Sequence, residues 1–164
     1  MEQDQNTKKA YLQLLIDTME KKTAVLRRLV EITGIQDALM EPESFDDDQF
    51  MHTISLKEEQ LYELETLDKG FDRIFELMKE ELIGNKFRYE AEIQTLQGYI
   101  VVITDMGVQL QAMELRNKAK LEVLFANKRG ELRRSRVNTQ TVAKYYRNVA
   151  SQTGSEAYFY DKKK

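Results

Sequence analysis

The sequence predicts an all-α fold: an elongated antiparallel bundle or coiled coil of three long helices, with a short fourth helix near the C-terminus. Three observations carry this. The 164 residues include one proline and seven glycines, so little punctuates a helix. Charged residues make up 32% of the chain, and Glu, Lys, Leu, Gln and Met are abundant helix formers. Apolar residues recur at steps of three and four over long stretches, and no stretch alternates with the period of two that a strand needs.

The first helix is expected over about 8–39. Leu12, Leu15, Met19, Leu26 and Leu29 mark one face, with Lys22 in the skipped slot. Tyr11, Leu14, Val25, Ile32 and Ile35 widen the stripe, which suits a helix touching two neighbours. Thr33-Gly34 weakens its end and Glu41-Pro42 stops it, because the residue before proline resists the α region.

The second helix, about 46–83, has the clearest start. Asp46 reads as N-cap with Gln49 at N3, a variant of the capping box, and Phe45 and Phe50 hold the hydrophobic-staple positions. Asp46, Asp47 and Asp48 also complement the positive helix end. Phe50, Ile54, Leu61, Leu64, Leu67, Phe71, Ile74, Phe75, Met78 and Leu82 continue the stripe. Gly84-Asn85 offers a break, glycine as C′ and asparagine as the next cap. An unbroken helix from 46 to 130 would be roughly 130 Å long with most of its stripe uncovered, so a turn is expected here.

The third helix, about 86–132, carries the cleanest heptad: Tyr89, Ile93, Leu96, Ile100, Ile103, Gly107, Leu110, Glu114, Asn117, Leu121 and Leu124. Gly98 and Gly107 lie inside it, either for close helix approach or tolerated because packing dominates. From Glu114 the seam turns polar. A bundle domain of 1–136 is therefore followed by 137–164, in which Val142, Tyr145, Tyr146 and Val149 form a short amphipathic face ahead of a basic, aromatic tail.

Charge is distributed unevenly. The net value of −3 combines −10 over residues 41–84 with +8 over 113–164. Balance across the bundle explains this better than nucleic-acid binding, since few arginines cluster and no reader module is present. The absence of cysteine excludes disulfides and thiolate chemistry, and one histidine, His52, excludes a His-cluster metal centre. There is no phosphate-cradling glycine loop and no HExxH, so no catalytic, cofactor-binding or metal-binding residue is assigned. The polar, acidic start is no signal peptide, and the apolar run Tyr99–Ile103 is far too short to span a bilayer, so a cytoplasmic, non-enzymatic protein without membrane insertion is expected.

Apolar residues in the basic third extend beyond where the first two helices are expected to cover them. Leu121, Leu124, Phe125 and Leu132, with Val142, Tyr145, Tyr146 and Val149 from the C-terminal arm, are the expected partner-binding surface. The last helix, hinged at Ser135–Asn138, reads equally as a lid folded onto the bundle or as a free arm.

Along nearly its whole length the chain resembles the small flagellar export chaperones of the FlgN and FliT type. The stretches that carry the likeness are Tyr11-Leu-Gln-Leu-Leu-Ile-Asp17, Lys57-Glu-Glu-Gln-Leu61, Leu64-Glu-Thr-Leu-Asp68-Lys-Gly-Phe71, Gln111-Ala-Met-Glu-Leu-Arg-Asn-Lys118 and Asp161-Lys-Lys-Lys164. The resemblance implies a type III secretion chaperone without cofactors. It would hold the helical termini of a hook–filament junction or filament cap protein before export, with export-apparatus components as further partners. The oligomeric state, homodimer included, stays open. The alternative is a coiled-coil scaffold unrelated to export, with Glu114 and Asn117 setting register or oligomer state.

Overall fold

In the computed structural model, which describes residues 2–127 together with Lys144, Tyr145 and Arg147, the chain forms three α-helices of 38 residues each. They are α1 (Glu2–Leu39), α2 (Asp47–Gly84) and α3 (Glu90–Asn127). Among the described residues there is no strand. The all-α class and the three long helices follow from the periodicity. The expected extension of the third helix to 132 lies outside the described residues.

The helix boundaries have local causes. The Asp46 carboxylate accepts from the backbone N–H of Asp48 at 2.9 Å and of Gln49 at 3.2 Å, with Asp46 itself extended, as an N-cap requires. The Phe45 and Phe50 rings stand 5.6 Å apart and complete the staple. The turn after α2 departs from expectation. Gly84 is the last helical residue, no glycine among the described residues has a positive φ, and Asn85 closes the helix by donating its N–H to the Glu81 carbonyl at 3.0 Å. Asn85 then accepts from Arg88 and Tyr89, so α3 begins at Glu90 rather than near 86. At the other end α1 starts at Glu2, ahead of the first apolar repeat at Leu12, because its polar first turns need no burial to stay helical. It also passes through Thr33-Gly34 without a break.

Cross-helix contacts define how the helices run. Between α1 and α2, Lys8 meets Glu81, Lys22 meets Asp68 and Gln36 meets Thr53, the sequence separation falling from 73 to 46 to 17. These two helices therefore run in opposite directions. Between α1 and α3 the numbers rise together: Thr33 meets Glu114 and Gln36 meets Asn117, both at a separation of 81, and Asp37 meets Lys120 at 83. Both α2 and α3 pack closely along α1, and their backbones approach one another much less. Among the described residues, α1–α3 thus leave one side less closed, the α2–α3 groove facing away from α1.

The core falls into two apolar parts. The larger runs along most of the bundle, through Leu15, Met19, Leu26, Leu29, Leu61, Leu64, Phe71, Met78, Leu96, Ile100, Ile103 and Leu110. The smaller sits where α1 ends and α2 begins: Met40, Phe50, Ile54, Leu121 and Leu124, with Phe45, Met51 and Phe125 against it. Leu14 and Ile35, expected on the widened stripe of α1, are exposed, since each lies outside the arc that two flanking helices cover. A Cβ at Gly98 would meet nothing within 4 Å, so close helix approach does not account for that glycine.

Candidate functional site

A layer of polar side chains lies between the two apolar parts. The repeat that spaces leucines along each helix places them there. On α1 the steps of three and four through Leu26, Leu29, Thr33, Gln36 and Met40 make Thr33 and Gln36 core positions, and both are buried. On α2 the series Phe50, Ile54, Lys57, Leu61, Leu64 puts Lys57 on the same inner face, with no exposed surface. On α3 the series Leu110, Glu114, Asn117, Leu121 does the same for Glu114 and Asn117.

The groups satisfy one another across all three helices. The Lys57 ammonium lies 2.5 Å from Glu114 Oε1 and donates to Gln36 Oε1 at 2.9 Å. Gln36 donates through Nε2 to Thr53 Oγ1 at 3.1 Å, and Thr53 donates to the Phe50 carbonyl. Asn117 Nδ2 donates to the Thr33 carbonyl at 3.0 Å and to Gln36 Oε1 at 3.3 Å. The Thr33 hydroxyl lies 2.7 Å from the Leu29 carbonyl and 3.1 Å from Glu114 Oε1, so its single proton serves one or the other. Burial drives the Lys57 ammonium down to about 8, and the Glu114 carboxylate opposes that shift.

Tyr145 closes the layer from the less closed side. Lys144, Tyr145 and Arg147 are helical, and of the three only Tyr145 is buried, with no exposed surface. Its hydroxyl donates to Glu114 Oε1 and its ring lies over the Lys57 ammonium, 4.3 Å from nitrogen to centroid. The ring belongs to the larger apolar cluster. Lys57 comes from α2 and Glu114 from α3, so Tyr145 occupies the α2–α3 groove. Glu114 Oε2 is buried without a hydrogen-bond partner among the described residues, leaving acceptor capacity in the socket.

Four residues of the expected partner surface, Leu121, Leu124, Phe125 and Tyr145, are among the described residues. Leu121 and Leu124 are buried against Met40, Phe50 and Ile54, and Phe125 packs on the same cluster partly exposed. The expectation that intramolecular cover runs short there is corrected: the end of α1, the connecting loop and the start of α2 supply it. Leu132, Val142, Tyr146 and Val149 lie outside the described residues. Lys57, Gln36 and Thr53 are polar core positions beyond those named from the sequence, although an unbroken count of threes and fours through Ile54 and Leu61 marks the Lys57 slot as it marks Lys22. Lys22 is itself buried and pairs with Asp68 at 2.7 Å.

His52 is exposed. Among the described residues no three His, Cys, Asp or Glu side chains are grouped to hold a metal ion, and no helix is long and apolar enough to cross a membrane. The chain matches no protein family, no curated protein and no solved structure.

Proposed function

We propose that this chain is a non-enzymatic, cytoplasmic chaperone of flagellar type III export, which holds a helical terminus of a hook–filament junction or filament cap protein in the α2–α3 groove. The resemblance to the FlgN and FliT type supplies the client class. The observation that supports a helix-binding role is Tyr145: a residue far along the chain, helical and wholly buried, seated between Lys57 of α2 and Glu114 of α3. A groove that takes one helix-borne aromatic has the geometry for helix-in-groove recognition.

On this reading the molecule is an elongated antiparallel bundle with coiled-coil packing, and a short C-terminal helix carrying Tyr145 covers the groove when no client is bound. Leu121, Leu124 and Phe125 belong to the apolar cluster at the start of α2 on this reading and support the groove from within the bundle. The scaffold alternative asked Glu114 and Asn117 to set register between chains. Both make bonds within this chain, Glu114 through Oε1 to Lys57 and Asn117 to Thr33.

The test is calorimetric titration of the full chain with C-terminal helical segments of a hook–filament junction protein and of a filament cap protein. One of them should bind at a 1:1 ratio, and Tyr145→Ala should tighten that binding by vacating the groove. Absence of binding to either segment, in both wild type and variant, removes the flagellar reading.

A further inference from the structure

We propose that the α2–α3 groove reads a phenol, so that a partner helix recognised there presents a tyrosine to Lys57 and Glu114. This rests on the groove being a helix-binding site and adds the chemistry by which it chooses its occupant.

The socket is amphipathic along the length of one tyrosine side chain. The ring of Tyr145 sits among the residues of the larger apolar cluster, and its hydroxyl reaches the polar layer. At that depth Glu114 presents a carboxylate and Lys57 a cation to the ring face. A phenylalanine there would keep the ring contacts but leave Glu114 without one of its donors, in a site where Glu114 Oε2 already lacks a partner. A buried acceptor deprived of its donor is costly, more so when charged, and sites built to bond a hydroxyl discriminate sharply against the analogue lacking it. Serine or threonine would supply a hydroxyl too short to span the apolar part of the socket. The lysine adds attraction for an electron-rich ring held out of water. The same residues that make the layer expensive to leave unfilled therefore make it selective.

The experiment uses the full-length chain and a synthetic peptide of this protein's own residues Asn138–Thr153. The Tyr145→Phe chain, whose own occupant lacks the hydroxyl, should bind the native peptide at least about tenfold more tightly than it binds the peptide carrying Tyr145→Phe. It should also bind the native peptide more tightly than the wild-type chain does. In a second measurement, the Tyr145→Ala chain should be raised in thermal midpoint by p-cresol more than by toluene at equal concentration, and wild type should show no such difference. Equal binding of the two peptides, no binding of either, or an equal effect of toluene overturns the inference. A chain that prefers the tyrosine peptide but ignores flagellar termini keeps this inference and loses the flagellar reading. Binding of a flagellar terminus with no preference for tyrosine does the reverse.

Discussion

Lys57 concentrates the physical tension in this molecule. It is a charged side chain with no exposed surface, held by Glu114, Gln36 and the face of Tyr145. Removing one member of such a pair leaves an uncompensated buried charge, whereas replacing both with apolar groups is often neutral or stabilising. Lys57→Met should therefore lower unfolding free energy by about 3–5 kcal/mol, while Lys57→Met combined with Glu114→Leu should match or exceed wild type in denaturant melts. The pH dependence has a definite sign. In the unfolded chain Lys57 titrates near its ordinary value of 10.5, and in the fold near 8, so between those values the unfolded state binds the extra proton. Stability contributed by this group rises with pH across that window, by on the order of 3 kcal/mol in total, and is flat below it. Urea melts from pH 7.5 to 10 should show wild type gaining on the double variant. A parallel course for the two proteins would mean that Lys57 is not the titrating group.

At the scale of elements, short-range chemistry decides where helices begin and long-range packing decides what they bury. The start of α2 is the local case. Asp46 bonds two backbone N–H groups and Phe45 packs on Phe50, so Asp46→Ala should cost about 0.5–2 kcal/mol, read as a lowered midpoint with an unchanged m-value. The end of α2 is the contrasting case. A glycine followed by asparagine signals a left-handed stop, yet Gly84 stays helical and Asn85 makes the closing bond through its own N–H. The break itself was legible at Gly84-Asn85, but its hydrogen bonding was not, because several turn geometries satisfy the same orphan carbonyls.

For the whole molecule, the offset of 81 to 84 between contacting residues of α1 and α3 and the opposed run of α2 bring three remote segments into one polar layer. The same arrangement buries Leu124 beside Phe50 and Met40, at the end of the bundle where the sequence suggests a shortage of cover. Leu124→Asp should thus unfold the bundle rather than produce a separable binding defect. The milder Leu124→Ala should cost about 2–5 kcal/mol in equilibrium unfolding. A folded Leu124→Asp chain with an unchanged melting midpoint would return this residue to the surface.

The repeat of threes and fours by itself determined the class of fold, the three helices and the inner face of α3, whose buried residues from Leu96 to Leu124 are those of the heptad. It did so because an amphipathic helix must bury its apolar stripe whatever its partner is. Periodicity also places Lys22, Glu114 and Asn117 on inner faces. It does not say whether a polar residue there meets a partner within the chain or in another copy. Only the tertiary structure joined Lys57, Gln36 and Thr53 to Glu114 and Asn117, and set Tyr145 above them. Hydrogen bonds and ion pairs demand specific distances between residues far apart in the chain, and those distances are set by the register of packed helices, which no single helix carries in its own sequence.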